Sequence, residues 1–256
     1  MVNEYYNGSA AVGTGTKMAR DEYIEFVIVE KTSSASLAAL TFGDTNDATS
    51  LLQGVFKFDQ ATLDLALSNA GIQQFLPGTI LVVKGADLGS QQLGYSPETG
   101  SWSIELTAGQ GAVDHSERLI NGNITIGNNG DVVWISSSNP PTRNSDTSGL
   151  IHAIGHDNVP GLIAATVSTA FGTENILNST ITSGRSVSNV GNSTESLQLT
   201  VGGTRGVANG GANSTWVNGL RGGSLVAVPE PSRGLLILTG ILVITCQRRR
   251  IGGQHV

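Results

Sequence analysis

Apolar and polar side chains alternate in short bursts along most of this chain, the period of two expected of a strand with one buried face. Residues 2–6 form the first burst. Residues 22–29 form the second, where Tyr23, Glu25 and Val27 alternate with Ile24, Phe26 and Ile28. A small-residue loop over 8–20 separates the two. Residues 79–83 are a continuous apolar run closed by Lys84 and Gly85, as in a strand buried on both faces. Alternation returns over 102–106, 123–126 and 131–135, the last opened by a tight turn at 127–130. Further strands are predicted over 186–190 and 196–201, and a final one over 214–217 inside a Gly/Asn-rich stretch.

Two segments carry helical spacing instead. Residues 59–71 place Asp59 as an N-cap, Leu63 and Leu67 on one face and Gly71 at the stop. Residues 160–171 have Pro160 near the first turn and Gly172 at the end, with Ile163 and Val167 as the apolar face. Both are expected to lie across a sheet end.

Composition agrees with a mainly β body over 1–220. Thirty-four glycines, 13% charged residues and 5% aromatic residues favour short elements joined by many turns. A formal charge of −6, with no Lys/Arg stripe, excludes nucleic acid as the expected partner. The one cysteine, Cys246, lies in an apolar tail, so the body is expected to hold no disulfide or thiolate metal site and no cofactor. Residues 1–6 show neither a basic nor an apolar leader region, and the natural start of an exported chain is therefore expected upstream.

A Gly-rich linker over 221–227 leads to the tail, 228–250, and a short end over 251–256. Pro229, Glu230 and Pro231 are followed by thirteen uncharged residues, 234–246, and then by Arg248, Arg249 and Arg250. The apolar span is carried by Leu235, Leu236, Ile237, Leu238, Ile241, Leu242, Val243 and Ile244. At about 1.5 Å per residue it reaches about 20 Å as a helix, short of a ~30 Å hydrocarbon core. The arginines resist crossing, and the prolines keep the acidic motif extended. This order resembles the PEP-CTERM sorting signal. The resemblance implies export, an inner-membrane intermediate, and cleavage by an exosortase-type enzyme, with the product at the cell surface or in the extracellular matrix of a Gram-negative bacterium.

The body resembles the lamin-tail domain. The matching pieces are Val2-Asn3-Glu4, the Tyr23-Ile24-Glu25-Phe26 strand, the hairpin around Asn129-Gly130-Asp131-Val132-Val133, and the glycine-asparagine close over 209–214. An immunoglobulin-like β-sandwich is implied, with 33–78 and 140–178 as helical insertions and an apolar C-terminal helix. Glu4 and Glu25 then read as structural residues on wet strand faces. The function expected is structural or binding rather than enzymatic, in a biofilm or exopolysaccharide matrix.

Other chemistry was weighed against this. On a helix, His152 and His156 would share a face, with Asp157 adjacent, as a zinc site requires, but no third ligand is evident. Asp44, Asn46 and Asp47 offer oxygen ligands without the spacing of a calcium loop, and read as a turn or N-cap ahead of 48–52. Residues 114–117, Asp-His-Ser-Glu, hold the residue types of a hydrolase triad in one tetrapeptide, whereas triads converge from distant segments. The alternatives are thus an exported metal-dependent enzyme, or a carbohydrate-binding module presenting Trp102, Trp134 or Trp216 on a flat face.

Overall fold

The structure, a computed structural model, describes residues 1–9, 18–46, 51–114, 123–128, 130–137, 149–157, 175–191 and 197–222, all within one compact unit, Met1–Ser224. The sorting-signal residues, the 160–171 helix and the tetrapeptide beyond Asp114 lie outside them. Among the described residues no helix is long and apolar enough to cross a membrane.

Two six-stranded sheets face each other. The first runs β12 (Leu197–Val201), β11 (Arg185–Asn189), β1 (Val2–Asn7), β2 (Tyr23–Val27), β5 (Ile80–Lys84), β6 (Ser103–Thr107). The second runs β10 (Ile176–Leu177), β9 (Leu150–Asp157), β8 (Gly130–Ser136), β3 (Thr41–Asn46), β4 (Leu51–Phe58), β7 (Ala112–Asp114). Pairing is antiparallel except for β5 with β6 and β9 with β10. The class is a mainly β sandwich with few helices, as the alternation predicts.

The main core fills the space between the sheets. Val2, Tyr5, Ile24, Phe26, Leu81, Val83, Ile104 and Val187 point in from the first sheet. Phe42, Phe56, Phe58, Val133, Ile135 and Ile154 point in from the second. Strand β5 is buried on both faces, as its apolar run requires: Leu81 and Val83 join the main core, while Ile80 and Val82 pack in a cluster on the outer face. That outer cluster is covered by helix α3 (Gly211–Gly222) through Val217, Trp216 and Leu220.

Helix α2 (Gln60–Ala70) forms as its signals predict. Asp59 accepts from the Thr62 backbone at 2.9 Å, and Gly71 closes the helix at φ 67°. Leu63, Ala66 and Leu67 are its buried face.

Four expectations are corrected. Residues 33–78 are not simply a helical insertion: besides the five-residue α1 (Ser34–Ala38) and α2 they supply β3 and β4, two adjacent strands of the second sheet. The periodicity was present in Phe42, Phe56 and Phe58, but Gly43 and Gly54 leave gaps in it; each approaches neighbouring backbone too closely for a side chain. The end of the 140–178 segment likewise supplies β9 and β10. The strand expected over 214–217 is a turn of α3, because Asn213, Val217 and Leu220 recur at helical spacing and face the sheet. Residues 123–126 make only an isolated bridge, Met18 to Ile124, for reasons given next.

Candidate functional site: buried carboxyl groups that grip two loops

Glu22 precedes β2, Asp44 lies in β3 and Asp131 in β8; their side chains converge on the segment 123–128. Three successive backbone N–H groups of that segment each donate to a different carboxyl. Thr125 donates to Asp44 Oδ2 at 2.9 Å, Ile126 to Glu22 Oε2 at 3.0 Å and Gly127 to Asp131 Oδ2 at 2.8 Å. The second oxygen of Asp131 accepts from Val132 N–H at 2.8 Å. Two of its carbonyls are paired with backbone: Ile124 accepts from Ala19 N–H and Asn128 from Ile181 N–H.

His156 completes this end. Its Nε2 stands 2.9 Å from the Gly127 carbonyl oxygen, which can only accept, so Nε2 carries the proton. Nδ1 then accepts from the Tyr5 hydroxyl at 2.7 Å, across the sandwich from β1. A segment with no sheet partner is thus held by side chains, which is why its alternating residues never become a strand.

Burial sets the protonation here. Glu22 is pushed up to about 8 by desolvation, with the charges of Asp44 and Asp21 adding to it against the Ile126 hydrogen bond. Asp44 is pushed up to about 8 by the same burial. Asp131 is raised well above the carboxylate range by burial and by Asp44 and Glu22. Tyr5 is raised by burial and by Asp131. Burial therefore shifts all three carboxyls toward the neutral acid, while their oxygens grip loop amides.

A second grip lies on the outer face of the first sheet. Glu4 and Glu25 are direct partners across β1 and β2, beside a bulge that brings Asn3 alongside. Both are fully buried, which corrects the expectation that they sit on wet strand faces. Glu25 accepts from Asn3 Nδ2 at 2.7 Å and from Gly206 N–H at 2.9 Å. Glu4 Oε1 accepts from the Tyr23 hydroxyl at 2.8 Å and from Thr204 N–H at 3.1 Å, and its Oε2 from the Thr204 hydroxyl. Burial first, then the Glu4 charge, raises Glu25. Asn213 ties α3 to the same place, donating to Asn3 Oδ1 at 2.9 Å and to the Gly191 carbonyl at 2.8 Å. Gly203 makes the approach possible: at φ 66°, a Cβ there would stand 2.0 Å from the Tyr23 hydroxyl. Beside it, Lys84 pairs with Glu105, which also meets Arg205 at 3.2 Å. All four oxygens of Glu4 and Glu25 thus accept hydrogen bonds from this chain's own groups.

The sequence-proposed residues fall as follows. His152 and His156 lie on strand β9, not a helix, where four residues span about 13 Å, so the two rings cannot meet on one ion. His152 is buried and lowered to about 3 by desolvation. Asp44 is in a strand, neither in a turn nor at a cap, and Asp47 is outside the described residues. Among the described residues no group of three His, Cys, Asp or Glu could hold a metal. Trp102, just before β6 of the first sheet, and Trp134, in β8 of the second, are buried, and Trp216 is half-buried on α3, so the three rings form no common exposed face.

One substitution tests the grip. Glu22→Gln keeps an oxygen for Ile126 N–H and cannot ionise, so it is expected to lie within about 1 kcal/mol of the parent at pH 5 and to be the more stable protein at pH 8.5. Glu22→Ala orphans that amide and is expected to cost about 1–3 kcal/mol. Urea unfolding of both variants at the two pH values checks this.

Comparison with protein-family models, curated proteins and solved structures returns no match.

Proposed function

We propose that this is an exported bacterial surface or matrix protein, structural or binding in role, whose lamin-tail-like sandwich is displayed after its tail is processed. The observation that carries the sorting half is the order of the tail: Pro229-Glu230-Pro231, then after Ser232 and Arg233 thirteen uncharged residues, 234–246, then after Gln247 the run Arg248-Arg249-Arg250. An apolar run too short for a stable span, ended by arginines, suits transient membrane retention better than permanent anchoring.

The lamin-tail half is supported by how its marker residues are used. Val2-Asn3-Glu4, the Tyr23–Phe26 strand and the 209–214 close are far apart in sequence, yet Asn3, Glu4, Glu25, Asn209 and Asn213 belong to one hydrogen-bond cluster. Asp131, from the fourth marker, belongs to the other grip. Motif residues spent on holding the fold leave variation, and hence binding, to the loops. The parallel pairs β5–β6 and β9–β10 depart from a simple antiparallel sandwich. The metal-dependent alternative needed His152 and His156 on one ion, and β9 separates them.

The partners proposed are the exosortase-type enzyme, the inner membrane through the tail, and exopolysaccharide or other matrix components. Replacing Pro229 and Pro231 by alanine in a host carrying the processing enzyme tests the sorting half. Unprocessed chain is expected to accumulate in the inner-membrane fraction; surface delivery equal to the parent's would sink the reading.

A further inference from the structure

The two ends of the sandwich differ. At the end where β2 begins, Glu22, Asp44 and Asp131 close the gap with the 123–128 loop. At the end where β2 finishes, under α1, a cavity of about 240 Å³ opens between the sheets. Its walls are Phe26, Leu37, Phe58, Leu81 and Ile135, all core residues. Five large apolar side chains are exposed among the described residues, and two of them, Val29 at 46% and Ile151 at 48%, also line this cavity. The polar side chains lining it are the Thr32 and Ser36 hydroxyls and exposed Glu30; Met1 lines it too, its α-amino group donating to the Val27 carbonyl at 2.7 Å, and no Lys or Arg side chain does.

We propose that this cavity is a binding site for a small neutral apolar molecule carrying one aromatic ring and a short hydroxyl-bearing arm. Size sets the ring: an apolar cavity of about 150 Å³ stays dry and takes up benzene, and this one has room for a substituent besides. Charge sets the arm. A ligand carboxylate at the mouth would meet Glu30 and find no lysine or arginine, the Met1 α-amino group being held by the Val27 carbonyl and disfavoured as a cation by burial, whereas a hydroxyl can pair with Thr32 or Ser36. The exposed Val29 and Ile151 give an arriving ring an apolar surface before it enters. The site belongs to the body and is independent of how the tail is processed.

The test is an NMR titration of the chain Met1–Val256 with 2-phenylethanol and with phenylacetate, which share a ring and arm length and differ in charge. The expected result is saturable shifts at Phe26, Leu37 and Phe58 with 2-phenylethanol, at a dissociation constant of about 1 mM or below. Phenylacetate is expected to bind at least about tenfold more weakly, from repulsion at Glu30. Ile151→Trp and Ser36→Trp plug the mouth from opposite sides at exposed positions, and either, once shown folded by its spectrum, should abolish saturation. Shifts that stay linear to the solubility limit in the parent would overturn the proposal. So would binding undiminished in a folded plugged variant, or phenylacetate binding as tightly as the alcohol.

Discussion

Phe42→Ala is expected to lower stability by about 3–5 kcal/mol, seen as a fall in the urea midpoint with an unchanged slope. Phe42 is fully buried on β3, a central strand of the second sheet. Its ring lies 4.7 Å from that of Phe58, 5.1 Å from Phe26 at an edge-on 64°, and 6.1 Å from Phe56. The ring therefore bridges the two sheets, since Phe26 comes from β2 and the others from β4. Truncation removes the transfer energy of one ring and leaves three others facing a hole that a two-sheet frame cannot close. A loss under about 1 kcal/mol would mean that β3 and β4 are peripheral, as the sequence reading of 33–78 had them.

That segment shows what alternation can and cannot disclose. Strands β1, β2, β5, β6, β8, β11 and β12 were legible because their apolar residues are consecutive or strictly alternate. Strands β3 and β4 carry the same inward aromatics, but Gly43 and Gly54 stand where close backbone contacts forbid a side chain, and a glycine reads as a turn. In β9 the inward residues are His152, Ile154 and His156. Two histidines on a core face imitate the polar side of something else. A spacing of four is one face of a helix, and it is also one face of a strand.

Stability is expected to fall as pH rises from about 5 to about 8. Glu22 and Asp44 are pushed up to about 8, and Glu25 and Asp131 are raised as well, burial being the largest cause each time. The unfolded chain releases these protons near pH 4, while the folded chain keeps those of Glu22 and Asp44 until pH approaches 8 and holds those of Glu25 and Asp131 above the ordinary carboxylate range. In that window the unfolded state binds fewer protons, so stability decreases with pH. What these acids contribute is fully present below pH about 4 and is lost on the way up.

His152 has the opposite sign. It is lowered to about 3 in the fold, so its contribution is present above pH about 6.5 and is lost as pH falls toward 3. A free α-amino group at Met1, lowered to about 5 by burial, also favours the higher pH, between 5 and 8. Four carboxyls outnumber these two groups. The net expectation is a fall in stability from pH 5 to pH 8, read from urea midpoints. Greater stability at pH 8 than at pH 5 would show that the grips hold ionised carboxylates.

The site was less legible than the fold. Nothing in the sequence distinguishes Glu4 and Glu25 from solvent-facing strand residues, because the segment that caps them lies 200 and 181 residues later, respectively. The only local trace is Gly203-Thr204-Arg205-Gly206, where positive φ at both glycines lets the backbone approach the sheet. Asp44 was visible as a residue type suited to a cation and Asp131 as part of the hairpin motif, but both carboxyls accept from loop amides. The pairing of distant segments decided their role.

The proposed display of the body and removal of the tail are tested most directly by mass spectrometry of the mature cell-surface form. The mature C-terminus is expected to fall within residues 228–232, next to Pro229-Glu230-Pro231, with 248–256 gone. Surface-exposed protein that retains Arg248, Arg249, Arg250 and the residues through Val256 would contradict it.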